Sequence, residues 1–182
     1  FCSTKRSAER LCWRLRDLVS STLNAQEARK AEDIANGLKK SFPYLVDIPE
    51  LVGSGVAYHH ADLELELRNE VAKAFSERKV RVLTATTTLS AGVNLPARTV
   101  IVRDITRFER GLRLIPVAEI VNMLGRAGRP NLDTIGEGYF LVPAEKMSQS
   151  RYKKFTKSVK RRAVERVESQ IPRNLTNTLQ FI

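Results

Sequence analysis

Two arginines, Arg126 and Arg129, stand close together in the run Asn122-Met123-Leu124-Gly125-Arg126-Ala127-Gly128-Arg129-Pro130. Arginine stays charged at physiological pH and its planar fork matches phosphate oxygens, while the Gly and Ala around it leave room for a bulky anion. That combination suits the stabilisation of charge on a phosphoryl group in transfer. Salt-bridged surface arginines after a helix-ending glycine have the same composition. A second run, Thr84 to Pro96, carries Thr86, Thr87, Thr88, Ser90, the small pair Ala91-Gly92, and Asn94. Its hydroxyl and backbone N–H donors suit phosphate, and Gly92 lets the backbone approach a ligand closely. An ordinary strand-to-helix turn would be composed in the same way.

The elements that must hold these runs alternate. Phe1-Cys2 reads as the stub of a strand already in progress, so the chain is expected to begin within a domain. Ser3-Thr4 are cap residues for a helix striped with Ala8, Leu11, Leu15, Leu18 and Val19. Residues 25–42 form a polar helical stretch, and Phe42-Pro43 and Ile48-Pro49 then punctuate an extended connection, so 21–51 reads as an insertion. Val56-Ala57-Tyr58 is a strand ending on His59-His60. Asp62 is then expected to cap a helix containing Leu63, Leu67, Val71, Ala74 and Phe75. Val80–Ala85, Thr99–Val102 and Gly138–Val142 are strands, and Pro116–Leu124 is a helix stopped by Gly125. This alternation predicts an α/β fold whose mostly parallel sheet is covered by helices on both faces. Ligands of such sheets gather at the carboxyl ends of the strands, so the chemistry is expected just after each one.

Length and charge narrow the classes. At 182 residues the chain suits one domain with one sizeable core. Hydrophobic residues at 42 % and charged residues at 28 % exclude disordered and low-complexity classes. No apolar run approaches the ~20 residues of a membrane span, and the N-terminus lacks the order of a signal peptide. The expectation is a soluble intracellular protein, cytoplasmic or nuclear, with no membrane partner. Cys2, Cys12 and the adjacent histidines form no metal-ligand or redox spacing, so no metal site is expected and both cysteines read as buried packing residues. The net charge is +11, and +7 of it falls in 147–182, where nine Lys/Arg face only Glu165 and Glu168. A basic extension of this kind suits a polyanion, although a solvated helix face would look the same.

Taken in order, these runs resemble the motifs of the second RecA-like domain of a superfamily-two helicase, of the superkiller-type group that includes archaeal repair helicases and RNA-exosome helicases. The fourth motif resembles Phe1-Cys2-Ser3-Thr4-Lys5-Arg6-Ser7-Ala8-Glu9, and the next block resembles Gly55-Val56-Ala57-Tyr58-His59-His60-Ala61-Asp62-Leu63. Motif five is similar to Ala85 through Arg98, and motif six to Gly125-Arg126-Ala127-Gly128-Arg129-Pro130. The resemblance covers about 1–142 and implies a RecA-like domain over 1–146. After it, 147–182 would be a basic helical extension, and Val167 to Ile171 is similar to the family's passage into a winged-helix region.

The resemblance implies roles for the matched positions. Arg129 would be the arginine finger and Arg126 a second γ-phosphate contact, with Gly92 and Asn94 approaching the nucleotide and Asn122 standing where the family usually has glutamine. Ser3, Thr4, Lys5, Thr86 and Thr88 would contact successive phosphates of single-stranded DNA or RNA, helped by the N–H groups of the helix start. His60 would face the nucleic acid, with a structural role as the alternative. Thr87 replaces the usual proline of motif five. The chain has no GxxxxGK[ST] loop and no Asp-Glu magnesium box. Alone it is not expected to hydrolyse ATP. ATP and its Mg would be held by a first RecA-like domain in cis of a monomeric protein, over which this domain closes. The alternative is a non-catalytic RecA-like module that binds nucleic acid or protein.

Overall fold

The computed structural model describes residues 1–87, 95–108, 111–129, 133–141 and 148–161. The expectations for Thr88, Gly92, Asn94 and the passage at Val167 to Ile171 fall outside them.

The first helix, α1 (Lys5–Ser20), starts where Thr4 turns extended and its hydroxyl accepts from the Ser7 N–H at 3.1 Å. Its stripe buries Ala8, Cys12 and Val19. Next comes α2 (Ala25–Ser41), opened by a capping box in which Asn24 and Glu27 each accept the other's backbone N–H, at 2.9 and 3.0 Å. A short helix, α3 (Asp47–Gly53), replaces the expected extended connection. Pro49 fits in its first turn because the N–H it lacks would have no helical partner there. The stretch expected as an insertion therefore supplies core: Ala35, Leu38, Phe42, Ile48 and Val52 pack against Ala57, Leu67, Val71, Ala74 and Val80.

The remaining elements are β1 (Val56–His59), α4 (Leu65–Ser76), β2 (Val82–Ala85), β3 (Thr99–Val102), β4 (Thr106–Phe108), β5 (Leu112–Leu114), α5 (Val117–Leu124), β6 (Glu137–Phe140) and α6 (Gln149–Lys160). Parallel β1 and β2 pair from Val56↔Val82 to His59↔Ala85, and parallel β3 and β6 from Thr99↔Glu137 to Val102↔Phe140. The stub Phe1-Cys2 lies between the two pairs. Cys2 donates to Ala85 O at 2.8 Å, Phe1 donates to Ile101 O at 2.6 Å, and Arg103 donates to Phe1 O at 2.9 Å. The backbone thus runs as one parallel sheet in the order β1, β2, stub, β3, β6.

Helices cover both faces. On one, α1 packs Cys12 and Val19 on Val56, Tyr58 and Val82; on the other, α4 packs Ala72 and Phe75 on Leu83 and Ala85. Phe1 joins this second cluster to a third, in which Ile120 and Met123 of α5 and Phe155 and Val159 of α6 meet Val102. The opposite side of β3 and β6 presents exposed Ile101, Tyr139 and Leu141.

An antiparallel hairpin, β4–β5, was not expected. It is anchored by buried Ile105 and Ile115 and by Arg107 Nη1, which donates to both carboxylate oxygens of Glu119 of α5 at 2.9 and 2.7 Å, and Phe108 on it is 81 % exposed. The helix expected to start at Asp62 begins at Leu65 without a side-chain cap, because Asp62 is engaged with Lys5 instead. No helix among the described residues is long and apolar enough to cross a membrane.

Candidate functional site

The carboxyl ends of β1, β2 and the Phe1-Cys2 stub open on a cleft of about 410 Å³. It is lined by Ser3, Thr4, Lys5 and Arg6 from the start of α1, Ala61 after β1, and Thr86 and Thr87 after β2. Residues more than 80 positions apart meet here because parallel pairing places Cys2 beside Thr86. Lys5 and Arg6 are exposed, and Lys5 forms a salt bridge with exposed Asp62 whose hydrogen bond lowers the Asp62 carboxyl's pKa. An exposed pair of this kind is weak, so an arriving phosphate can take the lysine over.

The other expected positions are engaged within the fold. Ser3 does not offer its N–H: both N and Oγ donate to Asp104 Oδ2, at 2.9 and 3.2 Å. Thr4 uses its hydroxyl as the helix cap and donates to Ser7 Oγ at 2.8 Å. Thr86 lines the cleft yet is buried, its N–H donating to His59 O at 3.2 Å. His60 is not among the residues lining the cleft. Its side chain is only 6 % exposed, stacks on Tyr58, and sets Nε2 2.9 Å from Glu9 Oε1, which makes it part of the frame behind the start of α1.

His59 is buried too, with neither ring nitrogen hydrogen-bonded. Burial first, then Arg68 and His60, push its pKa from 6.5 down to about 4. Between those values the unfolded chain holds a proton that the folded chain rejects, so stability is complete above 6.5 and is lost as pH falls. The expected loss is at most about 1 kcal/mol per pH unit. Urea unfolding at a series of pH values checks this, and His59→Phe should flatten the slope; an unchanged slope in that variant assigns the effect elsewhere.

The arginines are built differently. After α5 the chain tightens: Gly125 donates to Val121 O, Arg126 to Met123 O and Ala127 to Leu124 O, at 2.8, 3.2 and 3.0 Å. Gly128 follows with φ +94°, a conformation that glycine adopts without strain. The segment is stitched to Ala97, which donates to Arg126 O at 3.0 Å and accepts from Gly128 N at 2.8 Å. Beside it, Glu137 N donates to Arg98 O at 2.9 Å, and a Cβ on Gly136 would lie 2.3 Å from backbone atoms of Ala127 and Gly128. Ala97 precedes β3 and Gly136 precedes β6. The arginine segment therefore sits at the amino ends of those strands, not at the carboxyl ends where all the chemistry was expected.

Arg129 is 26 % exposed and forked onto Asp133, itself 8 % exposed: Nε donates to Oδ2 and Nη2 to Oδ1, both at 2.7 Å. The backbones close the ring, Arg129 N on Asp133 Oδ2 at 2.9 Å and Asp133 N on Arg129 O at 3.0 Å. Hydrogen bonding from Arg129 brings the Asp133 pKa to about 2. Arg126 is half-buried, and Asn122 is exposed on α5, one turn before Arg126. Arginine guanidinium is the side-chain type that forks onto an anion such as a triphosphate end. Among the described residues no group of three or more His, Cys, Asp or Glu could hold a metal ion.

A parallel sheet with helices on both faces, a polar cleft over one set of strand ends and an arginine segment at the other define a RecA-like helicase domain. The family described as Helicase conserved C-terminal domain matches residues 36–131, just over half of the chain, and the protein belongs to that family. The chain is similar to ATP-dependent DNA helicase Hel308 of Caldivirga maquilingensis, with 39 % identity over 151 residues, 80 % of this chain and 20 % of the relative. The Hel308 of Pyrococcus horikoshii is 38 % identical over 149 residues, 81 % and 21 % respectively. That of Thermoplasma volcanium is 42 % identical over 125 residues, 60 % and 18 %. The chain thus spans about a fifth of the length of these relatives. The family match includes residues 36–51, within α2 and α3 and the turn between them.

Proposed function

We propose that this chain is the second motor domain of an ATP-dependent helicase of the superkiller-type group, acting on single-stranded nucleic acid together with a first RecA-like domain in cis. The names of its relatives favour DNA. Arg129 and Arg126 would hold the triphosphate end of ATP from this side, with Asn122 nearby, and magnesium would belong to the first domain. ATP bound there supplies the phosphoryl group whose transfer releases the free energy for movement. What this domain does is narrower: it grips a phosphodiester backbone in the cleft and presents guanidinium to the opposite lobe. Lys5 and Arg6 give the grip its charge, and neither reads a base.

The observation that carries this reading is the meeting of Ser3, Thr4, Lys5, Thr86 and Thr87 in one cleft. The domain alone should bind a single-stranded oligonucleotide weakly, with log affinity falling by about 0.7 per log unit of salt for each phosphate neutralised. Fluorescence anisotropy across a salt series measures that slope. Binding that ignores salt would remove the backbone grip.

A further inference from the structure

We propose that Asp133 is the positioning residue of the arginine finger: its carboxylate locks Arg129 in one rotamer and leaves the outer edge of the guanidinium free for the phosphate it meets. The inference rests on the helicase reading above and adds to it a residue that no motif had singled out.

The geometry argues for a brace over a blocking contact. A guanidinium carries five N–H donors. Asp133 takes the Nε donor and one on Nη2, along the inner edge, so both Nη1 donors and the second on Nη2 are left over. One N–H of Nη1 and the remaining one of Nη2 lie side by side on the outer edge, the pair that can fork onto phosphate. A free arginine side chain samples many rotamers, and a finger that had to order itself at every cycle would lose that freedom each time. Here the ordering is built into the fold. Asp133 Oδ2 also accepts the Arg129 backbone N–H, and Arg129 O accepts that of Asp133, so the carboxylate is fixed relative to the same backbone that carries the finger.

The Arg129 end is tied down in turn. Gly128 hydrogen-bonds Ala97, and Gly136, three residues past Asp133, packs on Ala127 and Gly128. Arg129 and Asp133 are therefore each flanked by residues set against the entries of β3 and β6. The Asp133 carboxyl, at about 2, remains ionised at every pH at which a helicase works, so the brace is permanent and has no pH switch. The nearby Arg98 adds a second positive charge to the same carboxylate without a direct bond among the described contacts.

The test uses the intact helicase, with Asp133→Asn and Asp133→Ala assayed for nucleic-acid-stimulated ATP hydrolysis. Asparagine keeps the volume and one acceptor but opposes an N–H₂ to the guanidinium, so it breaks the fork with little disturbance of packing. A loosened finger should lower kcat by about 10- to 100-fold, with KM for ATP and the affinity for a single strand changing less than threefold. A second measurement separates positioning from a purely structural part. In an Arg129→Lys background, which cannot form the bidentate fork, Asp133→Asn should cost less than about threefold further, because the two residues act as one unit. Wild-type kcat in Asp133→Asn, or losses that multiply in the double variant, would overturn the proposal. If Arg129→Lys and Arg129→Ala both turn over normally, it is the finger reading that fails instead. Should Asp133→Ala not fold, Asp133→Asn and the double variant still decide.

Discussion

Arg129→Ala in the intact protein should abolish nucleic-acid-stimulated ATP hydrolysis, by about a thousandfold or more, while affinity for single-stranded nucleic acid stays within a few-fold of the parent. The size follows from what an arginine finger contributes to phosphoryl transfer, about 10³ to 10⁵ in rate. The separation of the two effects follows from geometry. Arg129 belongs to the segment bonded to Ala97 before β3, whereas the cleft residues follow the stub, β1 and β2 at the other end of the sheet. Removing Arg129 also strips Asp133 of its partner, so Arg129→Ala/Asp133→Ala is the control that keeps a lone, largely covered carboxylate out of the comparison. Hydrolysis and binding measured on the same preparations check the prediction. Normal turnover would return the domain to the alternative, a module that binds without taking part in an ATP cycle.

Gly136→Ala should be the most destabilising single substitution in this region. The added Cβ would lie 2.3 Å from the Ala127 carbonyl carbon, 2.3 Å from Gly128 N and 2.4 Å from Ala127 O. All three are backbone atoms held by hydrogen bonds to Leu124 and Ala97, so no flexible side chain can swing aside. Overpacking of this kind costs about 3 kcal/mol, a fall of roughly 6–12 °C in Tm for a chain of this size. Differential scanning calorimetry reads it directly. Gly37→Ala is the internal comparison, since its Cβ would meet nothing within 4 Å and alanine favours the helix it occupies. Equal Tm values for the two variants would mean that the close approach of Gly136 to the arginine segment is absent in solution.

Much of the frame was legible because short β-branched runs and 3.6-residue stripes alternate along the chain. Thr99–Val102 is a strand at the bounds its composition suggested, and Thr4 caps α1 as its type and place required. Three features escaped for physical reasons. The helix α3 hides behind Pro43 and Pro49, which look like breakers until Pro49 is placed in a first turn. The β4–β5 hairpin has three residues per strand, too few for a period to emerge. Asp62 has a capping residue's type but pairs with a lysine 57 positions away, and no local pattern reports that.

The site was legible in part for the same reason. Residue type pointed to Thr86 and the arginine pair, and the family resemblance to Lys5, but partners decide what a side chain is free to do, and partners are set by the fold. Asp104 takes up the Ser3 donors from 101 positions away, and Glu9 draws His60 inward. Asp133, four residues past Arg129, was within reach of a spacing argument, because an acid so near an arginine is its natural counter-charge.

The strand β3 joins the two candidate sites of the domain. Its entry, at Ala97, bears the arginine segment, and its exit, at Asp104, holds Ser3 beneath the cleft, roughly 20 Å away at the usual rise of a strand. A hydrogen-bonded strand inside a packed sheet neither stretches nor shortens appreciably. The distance between the arginine segment and the cleft is therefore constant in this domain, and on the helicase reading proposed above any step along a strand would come from the domain pivoting as a single rigid piece, like a foot on an ankle.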